Sequence, residues 1–236
     1  MQETIQERIA QIEHRIHTAC TQANRQRSEL TLLAISKTHP LTKIREALDY
    51  GLTHFGESYV QELCDKQDFF AQSSPPDTGL HWHFVGHLQR NKCKYLAGRT
   101  CLIHSVDSLA LVRELEKRTP PHFRQAILLQ FNLAQESTKS GFYCPEDALP
   151  ILCPSKPWQN LSIEGFMTIP PPSDHPEDSR TYFRQIAEMR DVLRYQSGLP
   201  LPHLSMGMSD DLEIAIAEGA TFIRIGTAIF GPRNSR

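Results

Sequence analysis

The fold class this sequence predicts is α/β, a single closed (β/α)8 barrel of the TIM type with an extra N-terminal helix, and three observations carry it. Short apolar, β-branched runs alternate with helical patterns along the whole chain, the signature of repeated βα units and a parallel sheet. There are eight such runs, the number a closed barrel needs, and the turns between them are short. No Gly-rich turn follows the first run, where Ser36-Lys37-Thr38-His39-Pro40 stands instead, so the open doubly wound alternative lacks its phosphate-binding turn. With 236 residues, 39% of them hydrophobic, the chain can bury one sizeable core, and residues 1–236 are expected to form one domain.

The elements follow in order. Ile5, Ile9, Ile12 and Ile16 recur at three- and four-residue spacing and predict an amphipathic helix over residues 5–23. Strands are predicted over 30–37, 53–57, 82–87, 102–106, 125–134, 162–169, 203–206 and 222–225, each a β-branched or aromatic run bounded by turn residues. Helices are predicted between them, among them 41–50, 59–72, 109–117, 177–195 and 210–218. The eighth strand alone lacks a following helix, and the opening helix is placed to cover that gap. The Pro- and Ser-rich stretches 72–79 and 170–176 read as surface loops.

Composition excludes several classes. Lys plus Arg number 25 against 27 acidic residues, a formal charge of -2, which gives no electrostatic reason to expect a nucleic acid or a membrane surface as partner. No apolar run approaches the roughly 18–20 residues of a bilayer span, and the first fifteen residues are polar where a secretory signal would be apolar, so a cytoplasmic location is expected. Cys20, Cys64, Cys93, Cys101, Cys144 and Cys153 show no zinc or redox spacing and read as reduced thiols. His81 and His83 share a strand face, yet no further ligand stands at helical spacing nearby, so no metal is expected.

In a barrel of this kind the strand C-termini and the loops after them build the site. Lys37 is read as the end of the first strand, after Leu32-Leu33-Ala34-Ile35-Ser36. Pointing inward at the mouth it would be partly desolvated, which disfavours its charged form and leaves an amine able to attack an aldehyde. The plainer reading is a strand-end lysine with its stem on apolar surface and its ammonium in water. Ser205-Met206-Gly207-Met208-Ser209-Asp210-Asp211 runs from strand seven into a helix, with Ser209 placed at the N-cap, where backbone N–H groups and a hydroxyl favour a phosphate. An ordinary Ser cap followed by acidic first-turn residues fits the same letters. Strand eight ends in Arg224-Ile225-Gly226-Thr227, so Gly226 and Thr227 bring a second loop to the same anion, and an inward Arg224 lies beneath it, near the barrel axis. A lysine, a phosphate cup and an arginine in one mouth suit an aldehyde that carries phosphate.

At this point the chain resembles the pyridoxal phosphate homeostasis proteins, relatives of the N-terminal barrel of alanine racemases. The likeness is carried by Ala34-Ile35-Ser36-Lys37-Thr38, Phe55-Gly56-Glu57-Ser58-Tyr59-Val60-Gln61-Glu62, Trp82-His83-Phe84-Val85-Gly86-His87-Leu88-Gln89, Thr138-Lys139-Ser140-Gly141, Gly165-Phe166-Met167-Thr168-Ile169-Pro170, the 205–211 segment and Arg224-Ile225-Gly226-Thr227-Ala228-Ile229-Phe230-Gly231. It implies pyridoxal 5′-phosphate held as a Schiff base on Lys37, phosphate contacts from Ser209, Gly226 and Thr227, and Arg224 beside the pyridine nitrogen. Members usually carry Asn where Ser58 stands, so a contact made by that amide is lost here or bridged by water.

The function implied is vitamin B6 homeostasis, with the cofactor held for delivery to apo-enzymes or for sequestration by a monomeric protein without robust catalysis. An arginine at the ring nitrogen disfavours its protonation and makes the ring a weaker electron sink. Racemases also use a tyrosine from a second, β-rich domain of a partner subunit, a base this chain is expected to lack because it stops at Arg236. Lys139 is a candidate to assist release by transimination, and the roles of His83 and His87 stay open. The competing readings are a small amino-acid racemase or lyase with Lys37 as base, and a barrel that binds a sugar phosphate.

Overall fold

The computed structural model describes residues 3–73 and 79–232. Most of the predicted 72–79 loop and the chain end at Arg236 lie outside them. Helix α1 (Ile5–Gln22) comes first, followed by β1 (Thr31–Ile35), α2 (Leu41–Asp49), β2 (His54–Glu57), α3 (Val60–Ser73), β3 (His81–Phe84), α4 (Cys93–Leu96), β4 (Leu102–Val106) and α5 (Leu109–Arg118). The second half holds β5 (Gln125–Phe131), α6 (Pro145–Leu152), β6 (Leu161–Thr168), α7 (Ser179–Ser197), β7 (His203–Ser205), α8 (Leu212–Ala217), β8 (Phe222–Ile225) and α9 (Thr227–Phe230). All eight strands are parallel and pair in sequence order, and β8 returns to β1 through Leu33 opposite Arg224, which closes the barrel.

Alternation sorts the strand residues into two faces. Phe55, Phe84, Ile103, Ile127, Phe166, Leu204, Ile223 and Ile225 point outward and join the helices in the main apolar core. Leu102, Leu128, Met167 and Phe222 form a second, smaller cluster with Ala126 and Ile169 inside the barrel. The inner cluster is small because several other inward positions are polar, His83, His104, Ser205 and Arg224 among them, all buried. A closed parallel barrel tolerates such residues only where they satisfy one another, and here they do.

Helix α1 is set by a capping box in which the Thr4 hydroxyl accepts from the Glu7 N–H and the Glu7 carboxylate accepts from the Thr4 N–H. Its isoleucine stripe is buried, and the helix packs across α8, α9 and α2, outside β8, where the sequence reading placed it. Three expectations change. The eighth strand does have a helix of its own, the single turn α9. The first strand stops at Ile35, two residues before Lys37. Helix α8 starts at Leu212 with Asp211, not Ser209, at its cap: the Asp211 carboxylate folds back to accept from the Met208 N–H at 2.6 Å and from the Ser179 hydroxyl at 3.1 Å, which leaves Ser209 in the preceding turn. Among the described residues no helix is long and apolar enough to cross a membrane, and no group of three His, Cys, Asp or Glu side chains is arranged to hold a metal ion.

Candidate functional site

A cleft of about 280 Å3 opens at the C-terminal ends of the strands. Its walls bring together Lys37, Ser209, Arg224, Gly226 and Thr227, with Ile35, Ser58, Val85, Ile169, Met208 and Asp210. Small-molecule pockets run from roughly 300 to 1,000 Å3, so this one suits a small ligand. Every residue singled out from sequence for cofactor contact borders the same space, although three different loops supply them.

On one rim, β1 hands over to a tight turn. Ser36 O accepts from His39 N at 3.1 Å, so Lys37 and Thr38 are its central residues, and Thr38 has φ 65°. Lys37 continues the inward series Leu33, Ile35 and is half-buried. Behind the turn sits a charge cluster that sequence reading missed. The Lys66 ammonium, 5% exposed, donates to Ser36 O at 2.8 Å, Glu57 Oε1 at 2.7 Å and Glu62 Oε1 at 2.8 Å. The Ser36 hydroxyl donates to Glu57 Oε1 at 2.6 Å, and the Thr38 N–H donates to Glu62 Oε1 at 2.6 Å. Burial pushes the Glu57 carboxyl above the usual carboxylate range, with Lys66 and Ser36 pulling against it. Among the described residues its Oε2 is buried without a hydrogen-bond partner.

Across the mouth, Arg224 is 5% exposed and donates to the Ser205 hydroxyl at 2.9 Å and to the Thr168 carbonyl at 3.0 Å. Both partners are neutral, and among the described residues no carboxylate pairs with it; burial lowers it to about 10, Asp211 opposing at longer range. From Ser205 a chain of rings crosses the barrel interior: His104 Nδ1 lies 2.8 Å from Ser205 Oγ, His83 Nδ1 lies 3.0 Å from His104 Nε2, and His54 Nδ1 lies 2.9 Å from His83 Nε2. Arginine only donates. The Ser205 hydroxyl accepts from Arg224; with its hydrogen turned to His104 Nδ1 all three rings carry Nε2–H, and with His104 Nδ1–H donating to its second lone pair all three carry Nδ1–H. Burial holds them neutral, pushing His54 to about 4, His83 to about 3 and His104 well below its ordinary value.

The third wall is backbone. Gly207 has φ 91°, and a Cβ there would lie 2.5 Å from the Ala215 Cβ, so only glycine lets the loop after β7 close onto α8. Ser209 O accepts from Arg15 Nη2 at 2.9 Å, which ties this loop to α1. Asp211 is turned away into its own hydrogen bonds, while Asp210 is exposed and borders the cleft. The first N–H groups of α9, at Thr227 and Ala228, have no acceptor within their own helix.

Lys139 borders an adjoining cleft of about 430 Å3 that shares Val85 and Ile169 with the first. Its ammonium is engaged by Glu136 Oε1 at 2.6 Å and Pro170 O at 3.0 Å. The two open histidines separate here: His83 belongs to the interior chain, while His87 lies beyond β3, exposed, 3.3 Å from Asp107 Oδ2 and 3.2 Å from Ser140 Oγ.

The alanine racemase N-terminal domain family matches residues 8–234. The pyridoxal phosphate homeostasis protein of Aquifex aeolicus is 43% identical over 228 residues, 96% of this chain and 97% of that one. This chain belongs to the pyridoxal phosphate homeostasis protein family. The Escherichia coli K12 member is 40% identical over 233 residues, 96% of this chain and 95% of that one. Among solved structures, PipY of Synechococcus elongatus PCC7942 without PLP superposes with a TM-score of 0.83 at 35% identity, covering 97% of this chain and all of PipY. PipY with PLP bound gives 0.80 at 34% identity and the same coverage. For this homeostasis-family chain, sequence likeness and barrel geometry thus agree.

Proposed function

We propose that this protein binds pyridoxal 5′-phosphate in the cleft at the barrel mouth, as an imine on Lys37, and holds it for delivery to apo-enzymes or for sequestration. The bound cofactor supplies a reactive aldehyde; condensation with the Lys37 amine joins Nζ to the aldehyde carbon and releases the oxygen as water. Lys37 supports the reading by its inward, half-buried place on the cleft. Ser209, Gly226 and Thr227 would grip the phosphate with backbone N–H groups and two hydroxyls, beside an Asp211 whose carboxylate is turned away.

The observation that carries the reading is Arg224. A buried guanidinium with only neutral protein partners, on the wall of a cleft that also presents an amine, calls for an electron-rich group from a ligand. Arg224 would face the pyridine nitrogen and keep a proton off it, and the neutral histidines behind it offer no acid in its place. These residues hold the cofactor without equipping it for demanding chemistry, which supports storage over turnover. PLP bound to PipY, at 34% identity over nearly the whole chain, supports the cofactor assignment.

Borohydride reduction of protein incubated with pyridoxal 5′-phosphate, followed by peptide mass analysis, tests this directly. A phosphopyridoxyl adduct on Lys37 is expected. An adduct confined to another lysine, Lys139 for instance, sinks the site assignment. Incubation of the loaded protein with single L-amino acids is expected to yield no D-isomer and no decarboxylated product.

A further inference from the structure

We propose that Lys66 is a positioning residue for Lys37, acting through the peptide groups on either side of it; the proposal rests on the imine reading above. The contacts run through the neighbours of Lys37. The carbonyl of the residue before it, Ser36 O, accepts from Lys66 Nζ at 2.8 Å, and the N–H of the residue after it, Thr38 N, donates to Glu62 Oε1, the oxygen that Lys66 also binds. Glu57 Oε1 completes the set, taking one bond from Lys66 and one from the Ser36 hydroxyl. Three donors of one buried ammonium thus meet three oxygens that converge on a four-residue turn.

The turn needs such a clamp. Its hydrogen bond from His39 N to Ser36 O puts Thr38 at the third position with φ 65°, where turns of this shape take glycine. A β-branched residue is strained there, and a strained conformation persists only when its surroundings overdetermine it. Packing constrains the ends of the turn, where Ser36 and His39 are buried and the His39 ring centroid lies 5.1 Å from that of Phe230. Its middle is different: a cleft of about 890 Å3 lies against the turn, bordered by Thr38, His39, Tyr59, Glu62 and Lys66, and Thr38 is exposed. The ion cluster braces that middle, and with it the direction in which Lys37 leaves the backbone.

The test compares Lys66→Met, Thr38→Gly and the double variant in the full chain. Lys66→Met keeps the stem and removes all three donors. Its imine is expected to form about ten- to a hundredfold more slowly, the scale of loss that a misplacement of about 1 Å causes, while the phosphate-dependent, non-covalent affinity stays within about twofold. In ligand-free protein the Thr38 amide should exchange with solvent at least about tenfold faster. Thr38→Gly removes the strain, so the double variant is expected to recover most of the lost rate even if its Tm stays low. That rescue separates positioning from simple stabilisation. Wild-type imine kinetics and wild-type Thr38 exchange in folded Lys66→Met would overturn the proposal, as would a double variant that regains Tm but not imine rate. Should Lys66→Met fail to fold, Glu62→Ala, which removes the Thr38 partner at the partly exposed edge, is expected to show the same pattern in smaller measure, and unchanged kinetics and exchange there would overturn it. An adduct on a lysine other than Lys37 in the wild type would instead sink the imine reading, and the exchange result in ligand-free protein would still decide the clamp.

Discussion

The two rims of the cleft handle charge in opposite ways. On the Lys37 side, Lys66 is paired with Glu57 and Glu62 at 2.7–2.8 Å, and the cluster converges on the turn that carries Lys37. On the Arg224 side, a cation of similar burial leans on a hydroxyl and a carbonyl, backed by three neutral imidazoles. A charge whose partner is already built in serves the fold, whereas in the proposed function the charge without one is kept for the ligand. Removing a residue from the first rim should therefore cost stability, and removing one from the second should cost ligand.

The largest effect is expected at the residue both rims serve. Lys37→Ala should abolish the imine absorption band while leaving weaker, non-covalent binding of pyridoxal 5′-phosphate, measured by equilibrium dialysis; a band that survives would place the imine elsewhere. Next comes the contrast itself. Arg224→Met should weaken cofactor binding by about ten- to a hundredfold, the loss of one or two hydrogen bonds to a charged group. Yet the ligand-free protein should be as stable or more stable in urea, because a buried guanidinium without a counter-ion carries a desolvation cost that an apolar side chain avoids. Glu57→Gln should do the reverse: breaking a buried ion pair costs about 3–5 kcal/mol. Similar stability losses in both variants would erase the distinction between the rims.

The barrel was legible from the alternation of eight runs, and Lys37, Ser209, Arg224, Gly226 and Thr227 from their places at strand ends, because both follow from local spacing. The charge cluster was not. Lys66 lies mid-helix on α3, where a lysine four residues after Glu62 reads as an exposed i,i+4 pair; only the closure of β2 against α3 turns it inward. The interior chain was equally hidden, since His54, His83 and His104 stand on three strands and meet through barrel closure. The one visible hint was alternation, which places each of them opposite an outward Phe, Trp or Ile neighbour. The Ser209 cap failed for a nearer reason: helix α8 starts only at Leu212, and the Asp211 carboxylate folds back onto the Met208 N–H, which holds Ser209 in the turn before the helix.

The interior chain gives the Arg224 rim a pH signature opposite in sign to that of Glu57 on the Lys37 rim, whose carboxyl is raised by burial. Burial holds His54 at about 4 and His83 at about 3, with His104 also lowered, against an ordinary value of 6.5. Below pH 6.5 the unfolded chain takes up protons that the folded barrel refuses, so stability is full above 6.5 and falls as pH drops from there toward 4. Each such histidine contributes a slope of up to about 1.4 kcal/mol per pH unit. Urea unfolding at pH 7 and pH 5 should show this loss, and His83→Gln should flatten the curve. An equally steep curve in that variant would assign the acid sensitivity to other groups.

The smallest expected effect sharpens the comparison most narrowly. Thr227→Val keeps the size and branching of the side chain and removes one hydroxyl, while the α9 N–H groups remain. Thr227 is exposed, so the hydroxyl loses little by being absent from the ligand-free protein, and Tm should hold. Toward the phosphate it should supply one charge-assisted hydrogen bond. Its loss should loosen the cofactor by about 1.5 kcal/mol, roughly tenfold in Kd, with the imine band intact at saturation. The band must survive because the covalent link depends on the turn at Lys37, on the other side of the mouth. If Thr227→Val lowered the saturated band instead, the two rims would be coupled through the ligand, and phosphate grip and amine placement could no longer be treated as separate contributions.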